Sequence, residues 1–596
     1  MSRPGGSAAT ARPERPPAGT NLTYRRRTAI RPSCTLASMV LKESTMRSIV
    51  GLLGSLLLAT AACAGSADSG ASSGDPGGGG NVSFGGAQDI GEFRGILDRG
   101  EIPASNTLDA NGFFNEHFNQ TPAQGCNSTL CLTPGLSVGR DWLTGSHQAT
   151  LQIAVNTNVD PASYHRLPLN LVVVVDHSGS MSSDGRLDKV KVGLHTLVDN
   201  LLPEDRLSII SFDDTVTQEA TFTTELDRTA LHAAVSRLSP RGGTNIYAGL
   251  EAGFQVLGEY PKSEKQNRII FLSDGLATVG NTSRPAIMEM AKGWITKGIG
   301  LTTIGVGNDF DVDLMRGLAE NGAGNYYFLE NGSAASEVFT EELDFFMSPL
   351  ALDIKIDAIA GTGWTFQEVV GSRLFTTQPA KGSMTIPAVF LASRTSQAPT
   401  EGRRGGGSMI FIHLEPTGDA SSKVADLKIS YRAPGSTERI SQSVSLDYAA
   451  DPLETPEDPY LSGPEMAERY AMYNLYLGLR QATKSYDLNC AAAALNATRL
   501  NAAAWNQRHE DPDTAEDLLL IDQYLANLRA HGATQEGTAN LGSCPQADDP
   551  YYPEGGYGYG DDVQQPVMLC SSGKASAGWV VMLGAVLFSV RRRRRR

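Results

Sequence analysis

The sequence predicts an α/β fold built on a doubly wound, mostly parallel, Rossmann-like sheet. Three observations support this fold. Between residues 166 and 347, short apolar runs alternate with segments whose apolar residues recur at helical spacing. Residues 348–455 alternate apolar and polar side chains, as antiparallel strands do, and residues 456–535 contain three helical patterns. We therefore expect a central α/β domain flanked by a small N-terminal α+β module, an antiparallel β module and a C-terminal helical segment.

The central region alternates strands with helices. Its first strand, LVVVVD, is apolar until its last residue, as expected of a strand that helices cover on both faces. The predicted strands are residues 171–176, 205–214, 268–275 and 301–307, and the predicted helices are residues 187–202, 231–238, 246–257 and 286–298. In such sheets, ligands bind beyond the carboxyl ends of the strands, where the strand order reverses.

The flanking regions have patterns of their own. Upstream, His117 lies in a helical pattern, and we interpret it as a packing residue because no H-E-x-x-H spacing accompanies it. Downstream, the alternation in LDIKID predicts a strand with Leu352, Ile354 and Ile356 on one face. The last helical pattern places Thr514 and Asp517 in capping-box positions.

The N-terminal part of the chain carries an export signal. From Met46 it reads MRSIVGLLGSLLLATAACAGS, with a basic residue, an apolar core and small residues before Cys63, which predicts a signal peptide over residues 46–63. The end of this segment resembles a bacterial lipoprotein signal, in which the cysteine receives lipid. Residues 1–45 would bury the signal, so we interpret them as a non-native extension. Residues 64–84 read as a Gly/Ser linker.

The C-terminal part combines a linker and a tail. Residues 536–569 are of low complexity. Residues 570–596 contain Cys570 and Gly573, then a short apolar stretch and six arginines. This order resembles the C-terminal sorting tails of myxobacterial-type surface proteins, which are processed near the cysteine. We expect an exported protein of the cell envelope, at the outer membrane, the cell surface or in the periplasm, anchored to membrane by the lipid, the tail or both.

Charge and cysteine content narrow the possibilities further. The chain has 65 acidic and 50 basic residues and a formal net charge of −15, which repels phosphate backbones, so we expect no nucleic-acid partner. In an oxidising compartment, two disulfides are expected, with free buried thiols as the alternative. The candidate cysteines are Cys126, Cys131, Cys490 and Cys544.

Oxygen-bearing side chains follow two predicted strands and one Gly-rich loop. Asp176, Ser178 and Ser180 alternate at the end of the first strand, Asp274 ends the third, and Thr244 lies in RGGTNI before a helix. We expect these side chains to converge, because the carboxyl ends of parallel strands meet at one edge. Carboxylates and hydroxyls are hard ligands, which suit Mg²⁺ better than zinc.

The order D-x-S-x-S, G-G-T and S-D-G resembles the von Willebrand factor type A (VWA) domain and its metal-ion-dependent adhesion site. The resemblance implies a VWA domain over residues 166–347, preceded by a VWA-associated module over residues 85–165 and followed by β and helical regions, as in a group of exported bacterial proteins. It implies Mg²⁺, with Mn²⁺ or Ca²⁺ as alternatives. Ser178 and Ser180 would bind the ion directly, Thr244 in some states, and the two aspartates directly or through water.

The resemblance also implies a binding role, in which an acidic side chain of a protein partner takes the sixth coordination position. We expect no enzymatic activity: Ser178 lacks the G-x-S-x-G context of a hydrolase nucleophile, and Asp176 lacks the further carboxylates of a Mg²⁺-dependent phosphatase. We interpret His177, between the ligands, as structural. The alternatives are a structural envelope or assembly protein in which the metal only stabilises the fold, and a metal-dependent hydrolase.

Overall fold

The structure is a computed structural model that describes residues 80–119, 126–160, 164–260, 265–307, 310–329, 332–341, 343, 345, 347–394, 403–534, 541 and 544. The predicted extension, the signal peptide with Cys63 and the sorting tail with Cys570 and Gly573 lie outside these residues. The last residues of the predicted N-terminal linker lie within them and contribute a strand.

The secondary structure of this part of the chain is as follows. The strands are Val82–Ser83 (β1), Gly86–Ala87 (β2), Cys131–Leu132 (β3), Gly135–Arg140 (β4), His147–Ile153 (β5), Val155–Asn156 (β6), Leu169–Asp176 (β7), Arg206–Phe212 (β8), Val216–Ala220 (β9), Gln266–Ser273 (β10), Gly300–Val306 (β11), Asn325–Leu329 (β12), Ala351–Ala360 (β13), Trp364–Val370 (β14), Thr376–Gln378 (β15), Lys381–Leu391 (β16), Ile410–Pro416 (β17), Lys423–Arg432 (β18), Arg439–Asp447 (β19) and Tyr460–Leu461 (β20). The α-helices are Gly91–Asp98 (α1), Ala110–Asn115 (α2), Arg186–Asn200 (α3), Arg228–Arg237 (α4), Ile246–Gly258 (α5), Arg284–Ile295 (α6), Val312–Asn321 (α7), Gly332–Glu341 (α8), Met466–Lys484 (α9), Leu488–His509 (α10) and Pro512–Ala530 (α11).

The central sheet has the spatial order β2, β12, β11, β10, β7, β8, β9. Its neighbouring strands are parallel, except that β9 is antiparallel to β8. The four predicted strands correspond to β7, β8, β10 and β11, and the doubly wound α/β fold is confirmed. The structure adds β9 and β12 within the central region. It also adds β2, which the N-terminal region contributes.

Helices cover both faces of this sheet. Val173 and Val175 pack with the apolar residues of α3, α4 and α8, whereas Val172 and Val174 pack with those of α5, α6 and α7. All four valines are fully buried, because successive side chains of a strand point to opposite faces and both faces are covered. Burial of each valine stabilises the fold by about 1.5–3 kcal/mol. This explains the apolar run in the first strand.

The predicted antiparallel β region forms two sheets that share one apolar core. One has the order β1, β16, β13, β18, β19 with β15 beside β16, and the other has the order β14, β17, β5, β4, β20. Strands β1, β4 and β5 come from the N-terminal part of the chain. A hairpin such as β4–β5 is marginally stable alone, so it needs a partner for its apolar face. Regions predicted as separate modules therefore share sheets, and the predicted boundaries stay predictions.

One strand departs from the predicted alternation. Ile354 is buried in the core between the two sheets, but Leu352 packs against a different cluster that includes Phe390. The register of β13 against β18 shifts between Leu352 and Lys355, and Asp353 has φ of 50°. This β-bulge moves Leu352 off the face that Ile354 occupies. The prediction for Leu352 was wrong.

The three predicted C-terminal helices are α9, α10 and α11, but the predicted capping box is wrong. Asp511 is the N-cap of α11, and its carboxylate accepts hydrogen bonds from the amides of Asp513 and Thr514. Thr514 therefore lies inside the first turn, and Asp517 has another partner. Within the described part of the chain, no helix combines the length and the apolar character needed to cross a membrane.

The side chain that pairs with Asp517 is His117, which follows α2. Its Nε2 lies 2.8 Å from Oδ2 of Asp517, and its Nδ1 lies 2.8 Å from the carbonyl of Phe113. Arg403 donates to the other oxygen of Asp517 at 2.8 Å. Burial lowers the pKa of His117, but the charge and the hydrogen bond of Asp517, together with the charge of Asp513, outweigh burial, so the pKa is raised above 6.5. His117 is thus buried, as predicted for a packing residue. It also forms an ion pair with Asp517 and so links two distant segments of the chain.

Candidate metal centre

The candidate site lies where the strand order of the central sheet reverses. The successive strands β7 and β8 are neighbours, whereas β10 lies on the other side of β7. The chain therefore leaves the carboxyl edge in opposite directions and opens a crevice there. Asp176 is the last residue of β7 and Asp274 follows β10 directly. Both aspartates are 0% exposed.

Hydrogen bonds join four of the five predicted ligands. The amide of Ser178 donates to Oδ1 of Asp176 at 2.8 Å. The hydroxyl oxygens of Ser178 and Ser180 lie 3.0 Å apart. The hydroxyl of Ser180 donates to Oδ1 of Asp274 at 2.7 Å. The structure therefore brings the motif after β7 and the motif after β10 into direct contact.

Thr244, the fifth predicted ligand, reaches the same place from the loop before α5. Its amide donates to Oγ1 of Thr278 at 2.9 Å, and its carbonyl accepts from the amide of Thr278 at 2.9 Å. A Cβ added to Gly275 would lie 3.7 Å from Oγ1 of Thr244 and 3.8 Å from Oγ of Ser180. Two hydroxyls from different loops therefore face one small space beside Gly275.

Two residues of the site were missed by the sequence analysis. Ser273 donates from its hydroxyl to Oδ2 of Asp176 at 2.6 Å, and Arg186 donates from Nη1 to Oδ2 of Asp274 at 2.9 Å. Both are buried. Ser273 stands in the S-D-G motif, so a signal was available. Arg186 begins α3, where a positive charge opposes the helix dipole, and that unfavourable position was the signal for a second role.

The electrostatics of the two carboxylates differ. In the described part of the chain, no cationic side chain pairs with Asp176, whose hydrogen bonds come from Ser178 and Ser273. Burial raises the pKa of Asp176 to about 6 and the neighbouring Asp274 adds to the rise, whereas the hydrogen bonds oppose it. Asp274 has Arg186 as its counterion. The pair of carboxylates thus carries one more negative charge than the nearby side chains balance.

This donor set fits a hard divalent cation. Two carboxylates and three hydroxyls supply only oxygen, the ligand type that Mg²⁺, Mn²⁺ and Ca²⁺ prefer. Among the described residues, no three His, Cys, Asp or Glu side chains are grouped as a metal site, so the hydroxyls are needed to complete the set. A cation here would supply the charge that the buried Asp176 lacks.

The other predicted positions lie in their own surroundings. The Nδ1 atom of His177 lies 3.0 Å from the carbonyl of Ser239 and the residue is 3% exposed, which fits the structural role predicted for it. The four candidate cysteines form two disulfides, Cys126–Cys131 and Cys490–Cys544. The second bond ties α10 to the chain beyond α11.

Comparisons with known proteins assign a family to the central domain. The family described as "von Willebrand factor type A domain" matches residues 170–341. The "Uncharacterized protein YfbK" of Escherichia coli (strain K12) is 31% identical over 196 residues, which are 33% of this chain and 34% of that protein. The "Uncharacterized protein sll0103" of Synechocystis is 34% identical over 197 residues, which are 33% of this chain and 45% of that protein. The chain thus spans less than half the length of these relatives.

A solved structure is similar over a larger share of the chain. It is described as "von Willebrand factor type A from Catenulispora acidiphila". The match covers 67% of this chain and 91% of the chain of that structure. The identity is 15% and the TM-score is 0.45.

Proposed function

Because residues 170–341 are a VWA domain, a type that commonly mediates protein–protein interaction and adhesion, we propose that this chain captures a protein partner through a bound Mg²⁺. Asp176, Ser178, Ser180, Thr244 and Asp274 hold the ion. An acidic side chain of the partner completes the coordination. Mn²⁺ or Ca²⁺ can take the place of Mg²⁺, since the donors are all oxygens.

One observation carries the proposal. Five oxygen-bearing side chains from three separate loops converge at the carboxyl edge of the sheet, and one of the two buried carboxylates has no cationic partner in the described residues. Isolated buried charges are costly, so such a group is retained where a cation or a proton compensates it. Two carboxylates leave a divalent ion formally neutral, and Arg186 adds a positive charge, so a third anionic ligand is favourable.

The chain captures its partner outside the cytoplasm. The signal-peptide pattern, the lipoprotein-like Cys63 and the C-terminal tail support an exported, membrane-anchored protein of the cell envelope. A role in binding rather than catalysis is supported by the surroundings of the two hydroxyls. The carboxylate that accepts from Ser180 is Asp274, which is paired with Arg186. The nearby His177 directs Nδ1 to the carbonyl of Ser239.

The first experiment tests the metal alone. Titration of the metal-free chain with Mg²⁺ in a calorimeter is expected to give one site, which Asp176→Ala and Asp274→Ala abolish. Asp184→Asn is the matched control, because it removes an exposed carboxylate from the same rim at a backbone position, φ of 50°, that asparagine tolerates. Absence of a Mg²⁺ site in the unmodified chain would overturn the proposal.

The second experiment separates binding from stabilisation. Proteins captured from envelope extracts in Mg²⁺ are expected to be released by EDTA, and to be absent when Asp176→Ala is the bait while Asp184→Asn still captures them. Capture that survives both EDTA and Asp176→Ala, together with a large fall in melting temperature on chelation, would instead support the structural alternative. Hydrolysis of a phosphate ester that Mg²⁺ activates and Asp176→Ala abolishes would favour the hydrolase alternative.

A further inference from the structure

Two histidines on neighbouring helices meet on the side of the VWA domain. His195 lies on α3 and His232 lies on α4. Their Nδ1 atoms are 2.7 Å apart, and the ring centroids are 4.9 Å apart with an interplanar angle of 31°. Nε2 of His232 lies 3.0 Å from Oδ1 of Asp199, one turn along α3 from His195. Both rings are partly exposed, so ions from solvent can reach them.

The carboxylate of Asp199 decides which nitrogen of His232 carries the proton. A carboxylate accepts hydrogen bonds, so the proton of neutral His232 lies on Nε2 and the lone pair lies on Nδ1. That lone pair points at Nδ1 of His195. A histidine whose far nitrogen donates to a carboxylate, while its near nitrogen presents a lone pair, has the arrangement found at metal ligands.

We propose that His195 and His232 bind a borderline divalent cation, Zn²⁺, Cu²⁺ or Ni²⁺, through their two Nδ1 atoms, with water at the remaining positions. Asp199 is a positioning residue that orients His232. Tetrahedral Zn²⁺ with Zn–N bonds near 2.05 Å separates two nitrogen ligands by about 3.3 Å. The two rings therefore open by about 0.6 Å from the 2.7 Å contact, which side chains near the surface can do by small rotations.

This site differs from the oxygen site in both place and chemistry. His195 lies nine residues after Arg186, the residue that contacts Asp274, which is about 13 Å along the helix. Imidazole nitrogen suits zinc, copper and nickel, whereas the carboxylates and hydroxyls suit magnesium. The nearby Lys191 directs its ammonium to the carbonyl of Ser236. Its charge disfavours a cation, but its contact with Ser236 is exposed, so solvent screens the charge.

The test measures binding of the metal alone. The full chain is stripped of metal and dialysed against Zn²⁺ in excess Mg²⁺, which occupies the oxygen site. One Zn²⁺ per chain is expected. His195→Gln and His232→Gln are each expected to remove it, and Asp199→Asn is expected to weaken it about tenfold. His165→Gln is the matched control, because it removes an exposed histidine elsewhere on the chain and is expected to retain the ion.

Two further measurements distinguish loss of the histidine site from misfolding of the variants and from Zn²⁺ bound at the oxygen site. Circular dichroism establishes that the histidine variants fold, and Cu²⁺ electron paramagnetic resonance is expected to show coupling to two imidazole nitrogens in the unmodified chain. Zn²⁺ that disappears in Asp176→Ala but persists in His195→Gln would place the ion at the oxygen site and overturn the proposal. No bound Zn²⁺ at all would mean that the two rings share only a proton, which would overturn it as well.

Discussion

Arg186 donates from Nη1 to Oδ2 of Asp274 at 2.9 Å, and both side chains are buried. The other oxygen of Asp274 accepts from Ser180. The guanidinium therefore fixes the orientation of one carboxylate of the candidate metal centre and balances its charge. A metal ion at the site would bind the same carboxylate. The guanidinium of Arg186 and the metal ion would therefore both stabilise the chain by balancing the charge of Asp274.

We expect Arg186→Met to destabilise the chain in EDTA by about 3–5 kcal/mol, because it leaves a buried carboxylate without its partner. Mg²⁺ should then raise the melting temperature more in the variant than in the unmodified chain, since the ion replaces the lost charge. Scanning calorimetry with and without Mg²⁺ measures both effects. In Arg186→Met/Asp274→Asn the loss should be smaller than the sum of the single losses. Equal Mg²⁺ shifts in Arg186→Met and the unmodified chain would contradict this coupling.

We expect Ser273→Ala to weaken Mg²⁺ binding by about 10–100-fold, because the hydroxyl of Ser273 is a donor that orients Asp176.

Ser211→Ala is the matched control. It also removes a fully buried serine hydroxyl near the end of a strand of the same sheet, but that hydroxyl donates to Glu219. Calorimetric titration should show weakened binding in the first variant alone. Equal losses in both would point to a general effect on the sheet.

We expect two glycine substitutions in helices to have opposite signs. A Cβ at Gly193 on α3 would lie 2.4 Å from the ring of Phe339 on α8, so Gly193→Ala should destabilise the chain by about 1–3 kcal/mol. Gly293 on α6 has open space around it, so Gly293→Ala should stabilise by about 0.5–1 kcal/mol through helix propensity. Urea unfolding measures both. A stabilising Gly193→Ala would show that α3 and α8 can separate at little cost.

We expect Glu92→Gln to change how stability depends on pH. Burial raises the pKa of Glu92 from 4.5 to about 7, although the charge of Arg316 opposes the rise. The carboxyl of Glu92 therefore stays protonated to a higher pH in the folded chain than in the unfolded chain. The protonated carboxyl of Glu92 makes its full contribution to the free energy of unfolding below pH 4.5. That contribution is about 3 kcal/mol at most, and it is lost as the pH rises to about 7.

Glutamine has no proton to lose, so the advantage of Glu92→Gln over the unmodified chain should grow between pH 5 and pH 8. Denaturant unfolding at both values measures the difference. Glu101→Gln is the control, because the side chain of Glu101 is 56% exposed and pairs with Arg99. A constant difference across this range would show that Glu92 is ionised in the folded chain at pH 5.

The sequence determined the central fold and the order of the oxygen donors. Apolar strands and amphipathic helices are local patterns, so LVVVVD could be placed between two helical layers before any contact was known. The structure then joins Asp176, Ser178, Ser180 and Asp274 by hydrogen bonds. This agreement has a geometric cause: residues at the carboxyl ends of neighbouring parallel strands meet wherever the strands pair.

Only the tertiary structure decided which distant residues become partners. His117 and Asp517 are 400 residues apart, and the residues next to each of them in the sequence do not predict that the two will pair. The hairpin β4–β5 lies between β17 and β20, which follow it by hundreds of residues. A local pattern records whether a side chain is buried, because burial follows the period of the helix or strand. It does not record what the side chain is buried against, since that depends on packing across the whole chain.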